Sequence, residues 1–218
     1  MSHRAGGRRP TIPERAKRLL LCVVLALAPN AGAVAAGADG DVLPPDPAMV
    51  ARLSGLAADS SDVLHYRETR EGGLFSGPVT YTGRLQWLPD IGELVQWVDS
   101  PSRARLSVLG DRVEIQGENG RARSLPLSGR PGLGAMMAGL KALLSGDVDA
   151  LGAVFLADYL EAGDGQWTLH LKPRDEALRE HLALLEVRGQ DNQLVAIDRV
   201  DARGTRQAMI ITDGPASP

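Results

Sequence analysis

From residue 63 to residue 212 apolar and polar side chains mostly alternate, the period of a strand with one face buried. In Val79 to Trp87, Val79, Tyr81, Leu85 and Trp87 point one way and Thr80, Thr82, Arg84 and Gln86 the other. Val113 and Ile115 alternate with Glu114 and Gln116, and Trp167, Leu169 and Leu171 with Thr168, His170 and Lys172. Further strands are expected over Val63 to Arg70, Glu93 to Val98, Ala104 to Val108, Arg121 to Leu125, Ala183 to Arg188, Leu194 to Asp201 and Arg206 to Thr212. Turn-formers separate them, among them Pro89-Asp90, Gly110-Asp111, Glu118-Asn119-Gly120 and Asp191-Asn192. Spacing this close leaves no room for crossover helices. The sheet is therefore antiparallel and meandering.

Two stretches depart from this pattern. Asp46 can cap a helix with Pro47 at its first position, and Met49, Val50, Leu53 and Leu56 then share one face. Between Leu133 and Leu160, Leu133, Met136, Met137, Leu140, Leu143 and Leu144 form a second helical stripe. After a break at Gly146, Asp147 can cap a further helix carrying Val148, Leu151, Val154, Phe155 and Tyr159. The expected fold is α+β and mainly β: an unclosed antiparallel β-barrel, formed by a curved meander sheet and covered by an N-terminal helix and a helical insert. Curling the sheet around the helices buries both apolar faces at once.

An insert lying over a curved sheet leaves an apolar space whose cover can move. Met136 and Met137 suit such a surface, because an unbranched, polarisable side chain adapts to varied ligands. The same methionines and leucines also read as plain core. Only eight aromatic residues serve the whole chain, so the interior relies on smaller groups.

The N-terminus changes the setting. Arg4, Arg8, Arg9, Arg15, Lys17 and Arg18 precede an apolar run from Leu19 to Ala28, and Ala36-Gly37-Ala38 ends the segment, as in a secretory signal peptide. Ten apolar residues are too few for a membrane span, which takes about 20. The expected organisation is a signal peptide over 1–38, a leader over 39–47, one domain over 48–212 and a flexible tail over 213–218. Removing the signal peptide takes away six of the 24 Lys and Arg and one of the 27 Asp and Glu, leaving 18 against 26, a net charge of −8. Such an acidic chain is a poor partner for nucleic acid. The one cysteine, Cys22, leaves with the signal peptide, so neither a disulfide nor a lipid anchor is expected.

The chemical inventory points away from catalysis. His65, His170 and His181 have no His or Cys partner at metal-ligand spacing, so no metal is expected. Leu53-Ser54-Gly55 and Leu144-Ser145-Gly146 follow expected helices, whereas a nucleophile elbow follows a strand. The glycine-rich stretches lack the Lys-Ser/Thr of a phosphate loop. No catalytic residue and no cofactor is assigned.

Several segments, taken in order, resemble the outer-membrane lipoprotein carrier (LolA) family. These are Thr82-Gly83-Arg84-Leu85 followed by Leu88-Pro89, then Leu94-Val95-Gln96-Trp97, Pro101, and Leu106 to Val113 around Gly110-Asp111. Downstream, Trp167 to Pro173 resembles the family's tryptophan-led strand, and Ile197 to Arg206 its closing hairpin. The similarity runs over Val63 to Ile211. The resemblance implies a periplasmic carrier that shields acyl chains of a lipoprotein or other lipid-like cargo during transit to the outer membrane of a Gram-negative bacterium. It would act as a monomer between an inner-membrane donor and an outer-membrane acceptor. The arginine that the family places before the turn proline falls on Leu88 here. The cavity and its lid are assigned to Tyr81, Leu85, Trp87, Trp97, Leu133, Met136, Met137, Leu140, Leu144, Trp167 and Leu169. A periplasmic interaction or scaffold protein with a filled core is the other reading of the same fold.

Overall fold

A computed structural model describes residues 45–58, 63–72 and 77–216. The expected signal peptide and most of the leader lie outside these residues. The elements in chain order are α1 (Pro47–Ala58), β1 (Leu64–Glu71), β2 (Val79–Leu88), β3 (Glu93–Ser100), β4 (Ala104–Leu109), β5 (Arg112–Gly117) and β6 (Ala122–Pro126). Then come α2 (Pro131–Ser145), α3 (Val148–Val154), β7 (Phe155–Glu161), β8 (Gln166–Pro173), α4 (Glu176–Arg179), β9 (Leu184–Gln190), β10 (Gln193–Val200) and β11 (Arg206–Thr212).

Among the described residues eleven strands form one antiparallel sheet, in the order β6-β5-β4-β3-β2-β1-β11-β10-β9-β8-β7. The first and last described strands meet at its centre, where β1 pairs with β11 from His65 opposite Thr212 to Glu71 opposite Arg206. The two edges, β6 and β7, flank the helical insert in sequence and do not pair with each other, so the barrel is unclosed.

Helix α2 explains why the sheet curls. Its Leu133, Met137 and Leu144 are buried with Tyr66, Leu85, Trp87, Leu94, Val108, Val113 and Ile115 from strands β1 to β5. Its Ala142 and Leu143 are buried with Phe155, Trp167, Leu169, Leu171, Leu185, Val187 and Leu194 from strands β7 to β10. One helix can touch both halves only if the sheet bends around it. Helix α1 adds Met49, Leu53 and Leu56 to the second cluster.

Local chemistry sets the helix ends as the sequence suggested. The Asp46 carboxylate accepts from the Ala48 backbone N–H at 2.8 Å, satisfying a donor left free in the first turn of α1. Gly146 ends α2 in the left-handed region at φ +68°, and Asp147 caps α3 by accepting from the Ala150 N–H at 2.9 Å.

One expectation is corrected. The helix after Gly146 stops at Val154, and Phe155 to Glu161 is strand β7 instead of helix, paired with β8 from Phe155 opposite Pro173 to Glu161 opposite Trp167. Phe155 and Tyr159 are four residues apart, a spacing that shares a face in a helix and in a strand alike. Their common face could not tell the two apart.

Candidate functional site

The inner face is read directly from the register. Leu64 lies opposite Leu85, Tyr66 opposite Gly83 and Ile211, and Glu68 opposite Tyr81 and Met209. On the other side Met209 lies opposite Ile197, Ile197 opposite Val187, and Val187 opposite Leu169. These rows form an apolar floor beneath α2.

Two packed clusters occupy this floor, one against each half of the sheet, and a seam runs between them. Five residues touch both clusters: Leu64 of β1, Met136 and Leu140 of α2, Ile197 of β10 and Ile211 of β11. All five are only partly buried, whereas most of their neighbours are fully enclosed. Apolar side chains from a helix and from three central strands thus converge where neither cluster is complete.

Most of the residues assigned from sequence are in this region. Leu85, Trp87, Leu133, Met137 and Leu144 are buried in the first cluster and Trp167 and Leu169 in the second. Met136 and Leu140 lie at the seam itself. Tyr81 is also buried, and the Arg70 guanidinium carbon stands 4.5 Å from the centre of its ring. The helix seats closely: a Cβ on Gly139 would overlap the Phe155 ring. Gly189 likewise leaves room for Trp167, whose indole N–H donates to the Asp191 carbonyl at 2.9 Å.

Trp97 is the exception. Its neighbour Gln96 points inward and donates to the Tyr66 hydroxyl at 2.8 Å, so Trp97 points outward. There it lies opposite Arg84 and Arg105 in the sheet, with the Arg84 guanidinium carbon 5.2 Å from its ring centre. Trp97 is therefore removed from the cavity assignment. Arg84 itself pairs with Asp99 at 3.3 Å on that outer face, and Leu88 is the last residue of β2.

Sequence reading missed Leu64, Ile197 and Ile211: a register irregularity between Leu194 and Ala196 breaks the alternation of β10, and in β11 the apolar Met209, Ile210 and Ile211 fall on both faces. It also missed a polar group on the inner face. Glu68 and Arg70 are 2% and 5% exposed and form an ion pair, with Arg70 Nε 2.5 Å from Glu68 Oε1. Burial raises the Glu68 carboxyl above its usual range, opposed by the Arg70 and Arg199 cations. Burial also raises the Tyr66 hydroxyl, with the Glu68 charge adding to it, so this phenol stays neutral.

A separate recess of about 440 Å³ lies on the outer face of β7, β8 and β9, lined by Leu156, Ala157, Asp158, His170, Lys172 and Leu184. It is on the opposite side of the sheet from α2. Its histidine is near two carboxylates, 3.2 Å from Glu186 and 3.8 Å from Asp158. Among the described residues no group of three His, Cys, Asp or Glu side chains is placed to hold a metal ion, and no helix is long and apolar enough to cross a membrane.

The sequence model of the outer membrane lipoprotein carrier protein LolA-like family matches residues 46–217. The chain belongs to that family. Its unclosed eleven-stranded sheet with helices on one face is a LolA-like fold. No curated protein matches the sequence. Similar solved structures include a chain of the Pseudomonas aeruginosa MucA/MucB complex, at 13% identity over 78% of this chain and 59% of that one, with a TM-score of 0.41. A LolA superfamily protein from Nitrosomonas europaea is 9% identical over 78% of this chain and 93% of its own, with a TM-score of 0.40. The Mycobacterium tuberculosis lipoprotein LppX is 12% identical over 79% and 99%, with a TM-score of 0.39. This chain thus spans 59% of the MucA/MucB chain's length.

Proposed function

We propose that the protein is a periplasmic, non-enzymatic carrier that takes acyl chains between its sheet and helix α2. The observation that carries this reading is the seam of Leu64, Met136, Leu140, Ile197 and Ile211. Membership of the LolA-like family supports it. An acyl chain costs about 0.8 kcal/mol per CH₂ to hold in water, so a lipid crossing an aqueous compartment requires a dry container. Non-directional contact under a cover that can lift allows both retention and release. No catalytic group is needed. The cleavable N-terminal segment would deliver the chain to the periplasm of a Gram-negative bacterium, where it passes a lipoprotein or other lipid from an inner-membrane donor to an outer-membrane acceptor.

A second reading has an observation of its own. Leu133, Met137, Leu143, Trp167 and Leu169 are almost fully enclosed, as in a permanently filled core. On that reading the protein is a periplasmic binding scaffold. Titrating delipidated protein with a fluorescent fatty acid separates the two: a carrier shows saturable binding displaced by unlabelled lipid, and a scaffold shows none.

A further inference from the structure

Helix α2 carries a single charge. From Pro131 to Ser145 every residue is apolar, glycine or serine except Lys141, which directly follows Leu140 of the seam. Helical spacing sets Lys141 one turn after Met137 and three positions before Leu144, both buried in the first cluster. Its stem therefore leaves the helix at the border between the packed stripe and the outward face, where Ala138 and Ser145 are exposed. Lys141 itself is half-buried.

A lysine at such a border ordinarily lays its methylenes over apolar surface and brings its ammonium to water or to a carboxylate. No carboxylate meets this one. Among the described residues no hydrogen bond or ion pair engages the Lys141 ammonium and no charge acts on it, and burial alone pulls its proton affinity below the ordinary lysine value. The arginine of helix α1 does have its anion, since Arg52 stands 2.6 Å from Glu161. An ammonium partly withdrawn from water beside an apolar site is suited to an anion that arrives attached to an apolar chain. Its three donors rotate freely, so carboxylate and phosphate oxygens both fit it.

We propose that Lys141 receives the anionic head group, a carboxylate or phosphate, of an amphiphilic cargo whose acyl chain enters the seam beside Leu140. The proposal rests on the carrier reading and deepens it. Apolar contact alone cannot orient an acyl chain, and a charge at the rim of the cover would. The head group then stays in reach of water while the chain is enclosed. The carrier also gains a preference by head group, which a purely apolar cavity lacks.

Two measurements test it on delipidated protein. The first is competition by dodecanoate, dodecyl phosphate and dodecanol against a fluorescent fatty-acid probe. At least one of the two anions should bind about tenfold tighter than dodecanol, as a charge-assisted hydrogen bond allows. A tighter dodecyl phosphate points to a phospholipid head group and a tighter dodecanoate to a fatty acid. Lys141→Gln should remove the advantage and leave dodecanol unchanged, and Lys141→Arg should keep it. The second is amine acetylation read by peptide mass spectrometry. Lys141 and Lys172 are the only lysines among the described residues, and Lys172 is exposed on the outer face of β8, so it serves as an internal control. The preferred anion at saturation should slow labelling of Lys141 and not of Lys172, and saturating dodecanol should slow neither. Equal binding of all three by the unaltered chain, or an anion preference that survives Lys141→Gln, overturns the site and leaves the carrier reading standing. Equal protection of Lys141 by dodecanol and by the anion overturns it as well. If none of the three binds, the carrier reading falls and the site with it. Competition and labelling on the unaltered chain decide the matter even if the variant does not fold.

Discussion

Gly139 of helix α2 rests directly on the ring of Phe155, the first residue of β7. This contact seats the proposed cover against the edge of the sheet, and it leaves no space for a side chain. The ring cannot yield easily, since Phe155 is almost fully enclosed. Gly139→Ala should therefore destabilise the protein by about 1–3 kcal/mol, the usual range for overpacking. A lower urea midpoint at unchanged slope would show it.

Neighbouring leucines of α2 should respond differently to the same substitution. Leu140 is half-buried at the seam, whereas Leu143 is fully enclosed. Leu140→Asp should leave a folded protein that no longer binds a fluorescent fatty acid. Leu143→Asp should lose the fold, because an unpaired carboxylate in a packed cluster has no compensating partner. Circular dichroism beside the binding titration distinguishes the two.

Trp97 and Trp87 provide a test of faces. Trp97→Ala removes a side chain from the outer surface and should change probe affinity by less than about twofold, since surface changes of this kind usually stay within about 0.5 kcal/mol. Trp87→Ala opens the inner cluster and should cost about 3–5 kcal/mol of stability. Comparable loss of binding from a folded Trp97→Ala variant would place the site on the wrong side of the sheet.

Stability should rise with pH around the histidine range. Burial lowers the His181 imidazole below its ordinary value of 6.5; Arg203 and Arg199 act in the same direction, and Glu180 opposes them. A base with a depressed folded value resists protonation in the native state, so the unfolded chain binds more protons in that window. Its contribution is complete above pH 6.5 and is lost as the pH falls from there through the depressed folded value. Urea midpoints measured at successive pH values should show this slope, and His181→Gln should flatten it.

Why some of this was legible from sequence, and some not, follows from particular strands. In Val79 to Trp87 polar and apolar residues alternate cleanly, and both the strand and its inner face were read correctly. In Glu93 to Val98 apolar residues occupy both faces, as Leu94, Val95, Trp97 and Val98, so alternation could not place Trp97. The inward residue there is Gln96, held by Tyr66, a partner 30 positions away in the sequence. Strand β1 hid its role in the same way, because its inward positions include Glu68 and Arg70 and pass for a solvated face. Charges that satisfy one another inside a fold carry no mark in a hydropathy pattern. The helical stripe of α2 was visible from its spacing, and its seat on Phe155 was not.

Native mass spectrometry of the protein purified without detergent or organic solvent tests the central claim most directly. If acyl chains occupy the space beneath α2, the folded protein should carry copurifying lipid that is lost on Leu140→Asp and retained on Trp97→Ala. A folded, monodisperse chain that carries no lipid, and takes none up when fatty acid or phospholipid is supplied, would contradict the account.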